Sequence, residues 1–282
     1  MHYYTESQYQ SKLIEEINAN DADSANIVLI NSLSMMTSLV REGKLADLTD
    51  YLKTDEYGTL NVNVAEALLE SAKINDKFYA IPNNHVVGEY EYLVIDKSAN
   101  DVEKVFLPSM FNNDKGPVDF EGIDALVSEF KAKLAAKGKN PDDYIWTESG
   151  PYELQEAGEL GTNLEYLAIK NPTVDTSVAF SSAFAIVDRG AEINERAMEI
   201  LDLINMDNGL RDLLQYGVEG INYYVDEAKG VVIKPEADVY SMNPLYTGNI
   251  FTLSYSEQLG WTAAVAQNGK LQNEEAVVKS AE

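Results

Sequence analysis

The chain has 282 residues, and its 47 Asp and Glu against 21 Lys and Arg give a formal net charge of −26. Such an acidic surface repels phosphates and anionic lipid head groups, which argues against nucleic acid and anionic membranes as partners. The chain has no cysteine and two histidines, so we expect no disulfide, no thiol nucleophile, no metal centre and no cofactor. Hydrophobic residues make up 45% of the chain, and no run of them is long enough to span a membrane.

The first third of the chain alternates predicted helices and strands. An amphipathic helix precedes the apolar run Ile27–Ile30, which predicts a strand buried on both faces and parallel to its neighbours. A short helix follows, with Gly43 just beyond its last turn. A helix over 64–69, a hairpin within Lys73–Pro82 and a strand over Glu91–Lys97 come next. This order is typical of an α/β lobe.

The remaining two thirds continue the mixed pattern. Apolar spacing or β-prone composition predicts the following elements: a helix over 123–134, strands near 144–146 and 164–169, a β-prone run over 177–187, two helices between 197 and 217, a hairpin turned at 226–230, and a helical tail over 251–267.

The sequence carries no catalytic signature. Its adjacent carboxylate pairs, such as Asp142-Asp143, diverge on a helix or loop and do not set an acid beside a base. No nucleophile elbow, phosphate-binding glycine loop or zinc-binding His-Glu-x-x-His is present. We therefore predict that the protein is not an enzyme.

Several segments, in this order, resemble one protein family. They are Ala25–Lys97, the run Ser181–Ile186 with the helical residues after it, the Tyr-Gly-x-Glu-Gly-x-x-Tyr segment Tyr216–Tyr223, and Gly248-Asn249. Together they are similar to the extracellular solute-binding proteins of carbohydrate ABC importers, the maltose-binding-like group, and within it to a lipoprotein branch.

This resemblance implies an α/β fold, a two-lobed clamshell of the type II periplasmic-binding-protein class. Lobe I would take residues 1–92 and 180–228, and lobe II would take 93–179 and 229–282. Family members begin with a signal peptide, often a lipid-anchored cysteine, and a first strand–helix–strand unit. None of these is recognisable in this sequence, so we expect an N-terminally truncated or reduced member.

The resemblance also implies a function. A monomer outside the cytoplasm, at the cell surface or in the periplasm, would capture a sugar or other small polar solute between its lobes. It would then deliver that solute to the membrane subunits of an ABC importer. The alternative is a remnant domain that keeps the fold but has a structural or interaction role and no working cleft.

The candidate ligand-binding residues follow from the family's cleft and from strand ends, where open α/β sheets bind ligands. Aromatic rings stack on sugar rings, while polar side chains bind their hydroxyl groups. The candidates are Asn31, Ser32 and Ser34 after the first strand, His85 and Glu89 after Pro82, Trp146, Glu148 and Tyr152 in the second lobe, Ser181 and Ser182 on the returning strand, and Asn249.

Two of these candidates have competing structural interpretations. Ser34 precedes Met35 at the start of a predicted helix, so its hydroxyl could cap that helix. His85 could be an exposed loop histidine with no ligand.

Overall fold

A computed structural model describes residues 4–19, 23–96, 98, 120–157, 163–236, 240 and 242–279. Lys97, which ends two of the ranges named above, lies outside this part of the chain. The helices are α1 Glu6–Ala19, α2 Leu33–Arg41, α3 Gly58–Asn63, α4 Glu66–Ser71, α5 Phe120–Ala136, α6 Glu153–Ala157, α7 Thr176–Ala179, α8 Ala191–Met206, α9 Asn208–Tyr216 and α10 Ala263–Glu275. The strands are β1 Ile27–Ile30, β2 Lys73–Ile74, β3 Lys77–Phe78, β4 Ala80–Pro82, β5 Tyr90–Asp96, β6 Ile145–Gly150, β7 Leu164–Lys170, β8 Thr173–Val174, β9 Ala183–Ile186, β10 Tyr224–Asp226, β11 Val231–Ile233 and β12 Val277–Val278.

The chain forms two compact units. Unit 1 comprises Met1–His85, Val174–Ala266 and Val278–Glu282, and unit 2 comprises Val86–Thr173 and Gln267–Val277. The chain passes from unit 1 to unit 2 after His85 and returns to unit 1 after Thr173. Both passages lie within seven residues of the expected lobe boundaries at 92 and 180. Residues 229–266, expected in lobe II, fall in unit 1. Among the described ones, Tyr240 and Ser254 hydrogen-bond to α9 residues.

Unit 1 is built on a three-stranded sheet in the order β1-β9-β4. β9 is antiparallel to both neighbours, with Ala183 opposite Ile30 on one side and Pro82 on the other. The predicted strand at Ile27–Ile30 is confirmed, but its expected parallel pairing is wrong, since its partner β9 runs the other way. Its two faces are also not equally buried: Val28 and Ile30 are buried, whereas Ile27 and Leu29 are half-buried. Within the β-prone run 177–187, only Ala183–Ile186 forms a strand. The first residues of the run belong instead to the short helix α7, which Asp175 caps.

Local sequence explains the two hairpins. Asn75 and Asp76 connect β2 to β3 with φ of 52° and 61°, the left-handed pair that a two-residue hairpin turn requires. The hairpin predicted around residues 226–230 is confirmed as β10 and β11, with Val225 opposite Val232. The helical tail begins later than predicted, at Ala263.

Unit 2 is built on the sheet β6-β5-β7, in which both outer strands are antiparallel to β5. Side chains alternate along each strand, so the sheet has two different faces. One face packs on α5 through Leu93, Ile145 and Leu167, which meet Phe130 and Leu134 of the helix. α5 therefore covers one face, and the residues of the other face carry the candidate site of this unit.

Candidate functional site

In unit 1, three chain segments meet at one end of the sheet. Ile30 ends β1, Pro82 ends β4, and both lie opposite Ala183, the first residue of β9. The residues just beyond these positions, Asn31 and Ser182 among them, are therefore brought to the same sheet end. Asn31 and Ser32 follow β1 at this sheet end, whereas Ser181 and Ser182 precede β9 and do not lie on the returning strand as expected.

Most polar side-chain atoms inside this sheet end are hydrogen-bonded, although Asn83 Oδ1 has no partner among the described residues. Asn83 Nδ2 donates to Ser182 Oγ at 2.8 Å and to the Leu245 carbonyl at 3.0 Å. The Ser182 hydroxyl donates to the same Leu245 carbonyl. Asn83 and Ser182 are fully buried. Ser182 thus fixes the segment around Leu245 and does not present its hydroxyl to solvent.

The other serines of this region have local roles. Ser32, and not Ser34, caps α2: its Oγ accepts a hydrogen bond from the Met35 amide at 3.3 Å. Ser34 is exposed in the first turn of α2. Ser181 is exposed too, and its hydroxyl donates to the Val178 carbonyl at 2.7 Å.

His85 lies at the last position of the first segment of unit 1. It is half-buried, so the interpretation as an exposed loop histidine is wrong. Its Nδ1 lies 2.6 Å from the Asn83 carbonyl oxygen. Burial lowers the pKa of the His85 imidazole, and the hydrogen bond to Asn83 only partly opposes this. The ring is neutral at pH 7. Glu89, the other candidate after Pro82, is exposed in unit 2.

Asn249 belongs to a buried polar network in unit 1. It is 2% exposed, its Nδ2 donates to the Asn205 carbonyl at 3.2 Å, and its Oδ1 accepts from the Phe251 amide at 3.0 Å. Its own carbonyl accepts from Arg211 Nε at 3.0 Å. The structure therefore places Asn249 in the interior, where its polar atoms bind the chain itself.

Arg211 is the centre of this network. Its side chain is fully buried, and it donates to the Asn249 and Pro244 carbonyls and to the Thr247 hydroxyl. Burial lowers the pKa of Arg211 to about 10, so the guanidinium remains charged at neutral pH. We call this network the Arg211 cluster; its members are Asn205, Arg211, Gln215, Thr247 and Asn249.

In unit 2, the sheet face opposite α5 is aromatic. Tyr90, Tyr92 and Val94 alternate along β5, and residues of the neighbouring strands and the loop after β6 extend the group. We call this surface the aromatic face; its members are Tyr90, Tyr92, Val94, Trp146, Glu148, Tyr152 and Tyr166.

Cross-strand pairing fixes the arrangement of the aromatic face. Val94 lies opposite Trp146 on one side and Tyr166 on the other. Trp146 and Tyr166 are half-buried, whereas Val94 is fully buried between them. The two rings thus flank a small aliphatic residue and keep part of their surface accessible, which is the property that stacking on a sugar requires.

A carboxylate lies beside these two rings. Trp146 Nε1 donates to Glu148 Oε2 at 2.8 Å. The pKa of the Tyr166 phenol is raised, first by burial and then by the Glu148 charge and hydrogen bond. Tyr166 therefore keeps its proton at neutral pH.

The inner tyrosines support this arrangement. The rings of Tyr90 and Tyr92 lie 5.6 Å apart, and Tyr152 meets Tyr90 edge-on at 6.2 Å. The Tyr92 hydroxyl donates to the Pro151 carbonyl at 2.9 Å, and the Tyr152 amide donates to Gln272 Oε1 at 2.9 Å. These contacts fix the loop that carries Tyr152.

The structure thus brings Trp146, Glu148 and Tyr152 together, as the sequence analysis expected for one lobe. It adds Tyr90, Tyr92 and Tyr166, which the sequence analysis missed. The signal was available in part: tyrosines two residues apart in a β-strand point to the same face. The pairing of Tyr166 with that face depends on strand order, which one strand alone does not show.

Metal binding and membrane insertion were the two remaining possibilities for the described residues. Among the described residues, no group of three or more His, Cys, Asp or Glu side chains is placed to hold a metal ion. Within the same part of the chain, no helix has the length and apolar character needed to cross a membrane.

Comparison with known proteins gives matches at the level of structure. No protein-family model matches the chain, and no curated protein matches its sequence. Among solved structures, it is similar to the N-glycan transport solute binding protein NgtS from Streptococcus pneumoniae. The complex with Man1GlcNAc gives a TM-score of 0.57 and 18% identity, covering 98% of this chain and 76% of NgtS.

Two more NgtS structures give similar values. The uncomplexed protein has a TM-score of 0.58 and the Man5GlcNAc complex 0.57, both at 17% identity and covering 98% of this chain and 75% of NgtS. The likeness extends over nearly the whole chain, and it establishes the fold. The chain has the type II periplasmic-binding-protein-like fold of the solute-binding proteins.

Proposed function

We propose that this protein is an extracytoplasmic solute-binding protein that captures a sugar or oligosaccharide and delivers it to the membrane subunits of an ABC importer. The observation that carries the proposal is the likeness, over 98% of the chain, to a protein that carries N-glycans. NgtS was solved with Man1GlcNAc and with Man5GlcNAc, so the fold accommodates glycans in that relative.

The aromatic face supports a carbohydrate as the ligand. Pyranose rings have apolar C–H surfaces that stack on indole and phenol rings, and hydroxyl groups that need hydrogen-bond acceptors. Trp146 and Tyr166 supply half-buried rings, and Glu148 supplies acceptor oxygens beside them. These are the two kinds of group that a sugar-binding surface combines.

The same proposal covers the remaining expectations. A solute-binding protein acts without chemical change in its ligand, so we propose no catalytic role. We also propose that the protein acts as a monomer. Its two lobes, which we expect to correspond to units 1 and 2, would present the bound ligand to the importer. Analysis of the glycan after incubation with the protein would reveal a new product if the protein were an enzyme.

Titration with a glycan panel tests the proposal. The panel contains Man1GlcNAc, Man5GlcNAc, maltotriose, cellotriose, lactose and N,N′-diacetylchitobiose, and binding is measured by calorimetry and by the shift in melting temperature. We expect saturable binding of at least one member. In Trp146→Ala the affinity for that glycan should fall about thirtyfold, since a buried aromatic contact is worth ~2 kcal/mol in binding.

Tyr224→Ala is the matched control. Tyr224 is 50% exposed on β10 of unit 1, so its truncation removes an aromatic ring far from the aromatic face along the chain. We expect it to bind the same glycan with unchanged affinity. The proposal fails if no glycan shifts the melting temperature of the unmodified protein, a result that would favour the remnant domain.

A further inference from the structure

The aromatic face contains one charged side chain whose charge is not neutralised. Glu148 takes part in none of the ion pairs between described residues. Its described hydrogen-bond partner is the Trp146 indole, which is a neutral donor. No described cation therefore offsets the Glu148 carboxylate beside the Trp146 ring.

This charge also keeps acceptor capacity. An ionised carboxylate offers about four lone-pair positions on its two oxygens. Trp146 uses one position on Oε2. The positions that remain can accept hydrogen bonds from hydroxyl groups, and they are fixed in direction because the Trp146 contact holds the side chain against the sheet.

The partial burial of the site strengthens the charge's effect on a ligand. Two like charges about 4 Å apart repel each other about fourfold more strongly at a protein surface than in bulk water, because the effective dielectric constant is lower there. If the ring of an acidic sugar stacked on Trp146, its carboxylate would lie near Glu148. No described lysine or arginine forms an ion pair with Glu148. A neutral hydroxyl at the same position would instead donate a hydrogen bond.

We propose that Glu148 makes the aromatic face selective for uncharged glycans, accepting hydrogen bonds from their hydroxyl groups and excluding sugars that carry a carboxylate. This inference rests on the proposed function, because it assumes that the aromatic face binds sugar. It names the substrate class: neutral hexoses and N-acetylhexosamines, and not uronic or sialic acids.

Matched pairs of glycans test this selectivity. Each neutral panel member that binds is compared with its derivative oxidised to a carboxylate at C6 of the non-reducing sugar, beginning with Man1GlcNAc. The unmodified protein should prefer the neutral member by about tenfold or more. In Glu148→Gln the preference should shrink to about threefold or less, because glutamine keeps an acceptor oxygen for Trp146 and removes the charge.

A control is needed because the net charge of −26 repels anions from the whole surface. Glu91→Gln changes the net charge equally, but Glu91 already forms an ion pair with Lys170 and is not a member of the aromatic face. It should keep the full preference of the unmodified protein. Thermal unfolding of both variants checks that they are folded.

Three outcomes separate this inference from the proposed function. If the unmodified protein binds neutral and oxidised glycans equally, the inference is wrong and the sugar-binding function stands. If Glu91→Gln lowers the preference as much as Glu148→Gln, overall charge is the cause and the inference is again wrong. If no neutral glycan binds at all, the proposed function is refuted and the inference is refuted with it.

Discussion

The Arg211 cluster of unit 1 and the aromatic face of unit 2 both concentrate hydrogen-bonding side chains, but these side chains bind different partners. In the Arg211 cluster the partners of Arg211 and Asn249 are carbonyls, amides and a hydroxyl of the chain itself. On the aromatic face, Glu148 retains acceptor positions and two rings remain half-buried.

This difference shows how to separate polar residues that hold the fold from those available to a ligand. A buried polar side chain is costly unless it is hydrogen-bonded, so a satisfied one stabilises its surroundings. A half-buried ring beside an unneutralised carboxylate adds little to stability by comparison. Substitutions in the Arg211 cluster should therefore lower stability, and substitutions on the aromatic face should lower the affinity for glycans.

The largest expected effect is on stability and comes from Arg211→Met. The substitution removes one charged donor from each of the Asn249 carbonyl, the Pro244 carbonyl and the Thr247 hydroxyl, which keep their other hydrogen bonds. We expect a loss of about 3–5 kcal/mol in the free energy of unfolding, since each hydrogen bond to a charged group is worth ~1.5–3 kcal/mol and the losses are not fully additive. Urea denaturation followed by circular dichroism measures the change.

Arg196→Met is the control for Arg211→Met. The Arg196 side chain is 77% exposed and pairs with Glu199 on the surface of α8. Exposed ion pairs contribute about 0–1 kcal/mol, so this variant should be nearly as stable as the unmodified protein. Equal losses in the two variants would show that the Arg211 cluster does not hold unit 1 together.

Asn249→Ala tests the division between fold and ligand directly, because the sequence analysis proposed Asn249 as a ligand-binding residue. The change removes the hydrogen bonds to the Asn205 carbonyl and the Phe251 amide. We expect the free energy of unfolding to fall by about 2 kcal/mol. Glycan affinity, measured where both proteins are folded, should change by less than about threefold, well under one kcal/mol.

Asn243→Ala provides the comparison for this prediction. Asn243 is exposed and caps the turn Pro244–Tyr246 through the Leu245 amide, so it has the same local role as Asn249 without the burial. Its loss should cost about 0.5–1 kcal/mol. A tenfold loss of affinity in Asn249→Ala with stability unchanged would restore the ligand-binding role.

Much of the fold could be predicted from local sequence. The strand at Ile27–Ile30 and the hairpin turned by Asn75-Asp76 follow from patterns within a few residues, and the structure has both. Trp146 and Glu148 also share a face for a local reason, since they are two residues apart on one strand. Such features depend on short-range geometry, which sequence spacing shows.

The rest depends on contacts between distant segments. Asn249 is buried because Arg211, 38 residues earlier, donates to its carbonyl. Tyr166 joins the aromatic face because β7 pairs with β5. Residues 229–266 fall in unit 1, where some of them hydrogen-bond to α9. An asparagine or tyrosine in sequence gives no sign of which interior or surface it will meet. Only tertiary packing decides that.

The smallest effect is a pH dependence of stability from His85. Burial lowers the pKa of the folded imidazole below the ordinary 6.5 of the unfolded chain. Between the lowered value and 6.5, the unfolded state binds more protons, so stability falls as the pH falls through this window. Above 6.5 the ring is neutral in both states, and its contribution is fully present.

Comparing His85→Gln with the unmodified protein isolates this contribution. The free energy of unfolding is measured by urea denaturation at several pH values from 7.5 to 5.5, where carboxylates such as Asp212 titrate equally in both proteins. The difference between the proteins should change as the pH drops, with the unmodified protein losing more stability. His2→Gln, which removes the other histidine, should follow the unmodified protein. Parallel curves for all three would mean that His85 is not protonated differently in the folded and unfolded states.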